Sequence, residues 1–191
     1  MPNRNELYRA IPIFSSGLLD NEIKDFSVKY KQAEGLAVYL KGFAEADEKN
    51  GFMRTYIVRD NMTNEFVGYF SLKAGLISIN EQKIGNKEYF DTIPGIELAN
   101  FAINNTYLKN HPGSRGCGYV VYQRLIKPIL YEVSERIGVY LFYIFSLPID
   151  SLIKRYGEYG FKRLSMKYEE ALHARLKPNY DAGCIFMFQE L

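Results

Sequence analysis

The sequence predicts one α/β domain whose sheet mixes antiparallel and parallel strands. Two observations carry that reading. Residues 54–59 and 66–73 are rich in β-branched and aromatic side chains, and Asp60-Asn61-Met62-Thr63-Asn64 supplies turn chemistry between them, so together they form an antiparallel hairpin. Further on, two apolar runs at 96–103 and 139–145 flank a long amphipathic run at 119–137, and strand, helix, strand gives a parallel pair with a right-handed crossover. A chain of 191 residues is long enough for one domain with a substantial core.

Taken in order, residues 8–14 read as an early strand or as an arm packed on the domain. Between 30 and 48 the apolar positions Ala33, Leu36, Ala37, Leu40, Phe43 and Ala44 recur at three and four, which is a helix face, weakened by Gly35 and Gly42. The hairpin follows. Residues 76–94 then form a polar, lysine- and glycine-bearing stretch, long for a connection inside a compact domain, and are expected to be an inserted loop.

The strand at 96–103 would place Glu97, Ala99, Phe101 and Ile103 on one face by simple alternation. A glutamate in so apolar a strand is unfavourable unless it is paired or faces a cleft. In the helix, Tyr122, Ile126, Ile129, Val133 and Ile137 form one stripe, and Pro128 predicts a kink because it cannot donate to the carbonyl of Arg124 and crowds it. Gly138 is the expected C′ residue. The run at 139–145 reads as a central strand covered on both faces, 148–156 as a short helix, 166–173 as a loosely helical tail and 184–188 as a closing strand.

Composition excludes several classes. A net charge of +2 leaves no strong electrostatic footprint for nucleic acid or an anionic membrane. The two cysteines, Cys117 and Cys184, form no C-x-x-C and no Cys/His cluster, so no metal site is expected. The opening Met1-Pro2-Asn3-Arg4-Asn5-Glu6 lacks the apolar core of a signal peptide, and no apolar run approaches 18 residues, so a soluble cytoplasmic protein is expected.

The chain turns on Asn110-His111-Pro112-Gly113-Ser114-Arg115-Gly116-Cys117-Gly118-Tyr119, a glycine turn between strand and helix. Glycines let a ligand approach the backbone, and a helix start offers N–H groups with partial positive charge, which suits phosphate. A Walker A loop would need Lys and then Ser or Thr after the last glycine, where Tyr119-Val120 stands. The spacing of Gly113, Gly116 and Gly118 is not that of a dinucleotide fingerprint either. A plain surface turn remains the bland alternative.

Arg115-Gly116-Cys117-Gly118 at a helix head, preceded by a strand ending Phe101-Ala102-Ile103 and followed by the Y-x-x-x-G-F pattern of Tyr156, Gly160 and Phe161, resembles the GNAT superfamily of N-acetyltransferases. The family pattern is [Q/R]-x-x-G-x-[G/A], and its first position falls on Gly113 here; an Asn common in the family is replaced by Ile149. The resemblance implies a mixed, mostly antiparallel twisted sheet flanked by helices. It implies acetyl-CoA as cosubstrate, its pyrophosphate held at Gly113, Ser114, Arg115, Gly116, Cys117, Gly118 and Tyr119. The backbone of Phe101, Ala102 and Ile103 would bind the acetyl carbonyl and the pantetheine arm.

It further implies Tyr156 as the general acid for the leaving thiolate, and Glu97 at the position where some members keep a general base. The bland readings are a core aromatic for Tyr156 and a salt-bridge partner for Glu97. The acceptor implied is a primary amine. A toxin-type enzyme acting on aminoacyl-tRNA and a non-catalytic acyl-CoA-binding module are the alternatives, a homodimer is compatible with each, and tRNA is the one nucleic acid expected as a partner.

Overall fold

The computed structural model describes residues 7–84, 87–175 and 183–191; the Met1–Glu6 start and the Gly85-Asn86 step of the expected insertion lie outside the described residues. Seven strands form one sheet in the order β1-β2-β3-β4-β5-β7-β6, with β1 at Tyr8–Pro12, β2 at Arg54–Asp60, β3 at Phe66–Ile84, β4 at Lys87–Ile103, β5 at Leu141–Ser146, β6 at Lys162–Arg163 and β7 at Ile185–Glu190. Strand β4 runs parallel to β5, while β1/β2, β2/β3, β5/β7 and β6/β7 are antiparallel. The expected α/β class with a mixed, mostly antiparallel sheet flanked by helices is the fold observed.

The described helices are α1 (Asp20–Asp25), α2 (Glu34–Gly42), α3 (Ala44–Asn50), α4 (Asn105–Asn110), α5 (Cys117–Val121), α6 (Lys127–Arg136), α7 (Asp150–Glu158) and α8 (Met166–Arg175). The chain divides into two compact units, one of Met1–Lys73 with Ala99–Ile129 and one of Ala74–Leu98 with Leu130–Leu191. In the first, Phe26 stacks on Phe66 at 5.2 Å, and both pack with Leu40, Ala44, Ile57, Tyr69 and Ala102. Fully burying a Phe, Leu or Ile side chain stabilises by roughly 1.5–3 kcal/mol. In the second, Ile77, Leu141, Tyr143, Leu172 and Phe186 form the core.

Four expectations are corrected. The loop expected at about 76–94 is strand: β3 continues to Ile84 and β4 starts at Lys87, so its polar residues belong to paired backbone, which a sheet satisfies whatever the side chains are. The helix read over 30–48 is broken at Phe43, and Gly51, at φ +74°, ends α3. Where a simple kink at Pro128 is expected, a π-turn at Tyr122–Ile126 stands just before the proline, with Lys127 N–H bonded to the Tyr122 carbonyl. Lastly, α6 ends at Arg136 and Gly138 is not among the left-handed glycines, so it does not act as a C′ cap.

Candidate active site

The glycine turn lies in the first unit. After Ile103 the chain does not pass straight into it: α4 intervenes, its start capped by Asn104, whose side chain accepts from Thr106 N–H. His111 ends α4, its N–H bonded to Tyr107 O at 2.9 Å, and its own carbonyl accepts from both Ser114 N–H (2.9 Å) and Ser114 Oγ (2.7 Å), which folds Pro112–Ser114 into a 3-10 turn. Gly116 then takes φ +87°, a conformation that non-glycine residues avoid, and α5 begins at Cys117. Tyr119 N–H and Val120 N–H both fold back on the Gly116 carbonyl.

Nothing lies within 4 Å of where a Cβ would stand on Gly113 or Gly116, so both backbones face open space. Arg115 is exposed and has no carboxylate partner among the described residues. Cys117 is buried, which keeps its thiol from being a surface nucleophile. These residues fit a phosphate: an open backbone, a left-handed glycine, a helix start and a solvated cation.

The turn is anchored from outside by a polar cluster that no local sequence signal marks. His111 Nε2 meets Glu65 Oε2 at 2.7 Å, and the imidazole stacks on Tyr107 at 4.4 Å. Tyr107 donates to Asp60 Oδ2 at 2.6 Å, while Asp60 Oδ1 accepts Met62 and Thr63 N–H. Burial, and then the Asp60 bond, push the Tyr107 hydroxyl well above its ordinary range. A cleft of about 150 Å³ beside α4 is lined in part by Glu22 and Glu65, and the two carboxylates are already engaged by Arg59 and His111.

Phe101, Ala102 and Ile103 end β4. Ala102 is buried, Phe101 and Ile103 half-buried. Strand β3 approaches this segment closely: a Cβ on Gly68 would meet the Ala102 carbonyl oxygen at 2.4 Å, so only glycine fits there.

Glu97 and Tyr156 lie in the second unit. The parallel ladder pairs Gly95 with Leu141, Ile96 with Phe142 and Glu97 with Tyr143. Phe142 packs on Phe161 at 5.4 Å, and Phe161 on Tyr156 at 5.6 Å, whereas Tyr143 joins Leu172 and Phe186 on the other side. Glu97 and Tyr156 therefore stand on opposite faces of the β4–β5 ladder. Tyr156, near the end of α7, is half-buried, edge-on to Tyr159 and Phe161, and its hydroxyl has no hydrogen-bond partner among the described residues. Burial pushes that hydroxyl far above its ordinary value, with Tyr159 adding and Arg155 opposing, so it stays protonated at neutral pH. Gly160, at φ +97°, makes the turn after it.

Glu97 is half-buried and is engaged by Tyr143, whose hydroxyl is raised by burial first and then by the charge and hydrogen bond of Glu97. The other histidine, His173, sits 4.0 Å from Glu169 and edge-on to Phe145. Among the described residues no group of three His, Cys, Asp or Glu side chains could hold a metal ion, and no helix is long and apolar enough to cross a membrane.

Neither a protein-family model nor a curated protein matches the sequence. Solved structures do share the fold. A tyrosine-to-phenylalanine variant of the toxin AtaT, bound to acetyl-CoA and the C-terminus of the antitoxin AtaR, superposes with a TM-score of 0.63 at 16% identity, covering 96% of this chain and 93% of its own. A corresponding type of variant of KacT gives 0.65 at 16% identity, covering 96% and 95%. AtaT complexed with acetyl-methionyl-tRNAfMet gives 0.62 at 16%, covering 96% and 94%. AtaT and KacT have the GNAT fold, and this chain shares it.

Proposed function

We propose that the protein is an acetyl-CoA-dependent N-acetyltransferase that moves an acetyl group onto a primary amine by direct attack. The observation that carries this is the left-handed Gly116 turn, displaying Arg115 and opening the helical run from Cys117 to Arg136, in a fold shared with a structure solved with acetyl-CoA. The open backbone of Gly113 and Gly116, the helix start at Cys117-Gly118-Tyr119, Ser114 and Arg115 would hold the pyrophosphate.

The cosubstrate supplies an acyl carbon activated by a thiol leaving group. Glu97 accepts a proton from the acceptor ammonium, directly or through water, leaving an amine whose lone pair forms the new C–N bond. Backbone N–H groups of Phe101, Ala102 and Ile103 donate to the carbonyl oxygen as charge develops there. As the C–S bond breaks, Tyr156 gives a proton to the sulfur and the second proton of the attacking nitrogen is lost through solvent, which reprotonates the phenolate; a well-placed acid contributes about 10²–10⁴-fold.

The acceptor reading favoured by an observation is the aminoacyl end of tRNA, because one neighbour in fold is AtaT complexed with acetyl-methionyl-tRNAfMet and others are the AtaT toxin bound to the C-terminus of the antitoxin AtaR. On this reading the protein is a toxin-type enzyme with an antitoxin partner, working in the cytoplasm. A turnover screen with acetyl-CoA against small amines, protein amines and charged tRNAs tests it. Acetylation confined to charged tRNA supports this acceptor, acetylation of free amines alone removes it, and CoA binding with no turnover on any acceptor favours the binding-module alternative.

A further inference from the structure

The face of the second unit that carries Glu97 is built around one phenol. Tyr143 is 3% exposed, and its ring leaves β5 and lies across β4 towards β3. A Cβ on Gly95, its neighbour on β4, would stand 2.9 Å from the ring; a Cβ on Gly75, on β3, would stand 1.8 Å from the hydroxyl oxygen. No side chain can occupy either position while the ring lies there. Two strand glycines are thus vacated along the path that brings the hydroxyl to the Glu97 side of the sheet. Glycine inside a strand gives up packing and chain entropy, so a pair of them marks a close approach the fold requires.

Leu141, Phe145 and Phe186 hold the ring from around and beyond it, with Leu172 of α8 in the same cluster. Among the described residues, the titratable groups gathered with this cluster are Tyr143, Glu97, His173, Glu169 and Arg163. The last three engage one another, Arg163 meeting Glu169 at 2.9 Å and Glu169 meeting His173 at 4.0 Å, and His173 stands beyond Phe145. Tyr143 is the member of this group whose hydroxyl reaches Glu97.

We propose that Tyr143 is a positioning residue: its hydroxyl, parked over Gly95 and Gly75, donates to the Glu97 carboxylate and holds that carboxylate ionised and in one orientation. This rests on the assignment of Glu97 as the base that receives the acceptor's proton. A carboxylate that accepts a hydrogen bond gives up its proton more readily than the same carboxylate without it, so losing the Tyr143 hydroxyl should make Glu97 harder to ionise. The rigid phenol also limits the rotamers over which the carboxylate spreads.

The test uses the full chain labelled with ¹³C at glutamate carboxyls, with the Glu97 signal assigned by its loss in Glu97→Gln. In Tyr143→Phe, which keeps the ring and so the packing, the Glu97 midpoint should rise by about one pH unit. Gly75→Ala keeps the phenol but displaces its oxygen, and should raise the midpoint in the same direction. Near-ultraviolet circular dichroism of both variants reports that the fold is retained. An unmoved midpoint in folded Tyr143→Phe overturns the proposal.

Turnover of acetyl-CoA with Met-tRNA as probe separates this from the base assignment. If Glu97→Gln abolishes the acid limb of kcat/KM and Tyr143→Phe moves that limb up with KM for acetyl-CoA unchanged, both stand. If Glu97→Gln abolishes it and Tyr143→Phe leaves it in place, only the Tyr143 proposal falls. If Glu97→Gln turns over with the wild-type profile, the base assignment falls and takes the proposal with it.

Discussion

Glu22→Ala is the substitution to which the first unit should be most sensitive. Arg59 is 4% exposed, and its guanidinium is fully used: Nη1 and Nη2 meet the two Glu22 oxygens at 2.8 and 2.9 Å, and the carbonyls of Ser16, Gly17 and Asn64 take further bonds. Removing the carboxylate leaves a buried cation with neutral acceptors only, for which about 3–5 kcal/mol is lost in buried pairs. Glu22 keeps 23% of its side chain in solvent, so water can partly replace it and the low end, about 3 kcal/mol, applies.

The same carboxylate also accepts the Leu19 N–H at the start of α1, so the helix end frays with it. For a chain of this size about 2–4 °C is lost per kcal/mol, giving a drop in Tm of roughly 6–12 °C by circular dichroism. The pH dependence has a definite sign. Arg59 first, then the Leu19 bond, hold the Glu22 carboxyl below its ordinary value of 4.5 against the opposing effect of burial. A depressed folded value means the stabilisation is present above about pH 4.5 and is lost as pH falls through the folded value. The gap between wild type and variant should therefore be full at pH 7 and close as pH drops below 4.5. A change in Tm under 2 °C at pH 7, or a gap that does not narrow in acid, would mean that the Arg59–Glu22 pair does not hold this unit together.

Two further outcomes are expected. Gly116→Ala forces a side chain into φ +87°, at about 1–2 kcal/mol, and since a Cβ there meets nothing the loss should show as a small fall in Tm with a weakened Kd for coenzyme A; an unaffected Kd would mean that this turn does not touch the ligand. Tyr156→Phe should lower kcat at least tenfold and leave coenzyme A binding nearly intact, because the phenol's hydroxyl has no structural bond to lose; unchanged kcat removes it from the mechanism.

The parts of the fold legible in the sequence were those specified locally. The hairpin at 54–73 announces itself by β-branched residues on both sides of an Asp/Asn turn, and the glycine turn by three glycines before an amphipathic run. The arms at 76–84 and 87–94 were not legible as strands, because their Lys, Asn and Glu content follows solvent and turn chemistry, whereas their strand state comes from pairing with a neighbour. Pro128 gave a correct warning of helix trouble, but whether the helix bends or widens to a π-turn depends on packing.

At the site, Tyr143 was hidden inside an apolar run where a tyrosine is unremarkable. Its relation to Glu97 depends on a parallel register set forty-odd residues away in sequence. Gly75 and Gly95 were the available signal, two glycines in strand context on either side of the polar stretch. The Glu65–His111 contact was out of reach for the same reason: nothing local joins a hairpin turn to the entry of a glycine turn.

Cosubstrate binding depends on main-chain amides at 113–119 holding a diphosphate, and calorimetry with coenzyme A and with 3′,5′-ADP as separate titrants, on wild type and Gly118→Asp, measures it most directly. An aspartate in the first turn of α5 favours the helix while placing a negative charge against the phosphates. Wild type should take up both titrants at micromolar concentration and the variant neither, with equal Tm for the two proteins. Retained micromolar affinity in Gly118→Asp, or no uptake by wild type, would contradict it.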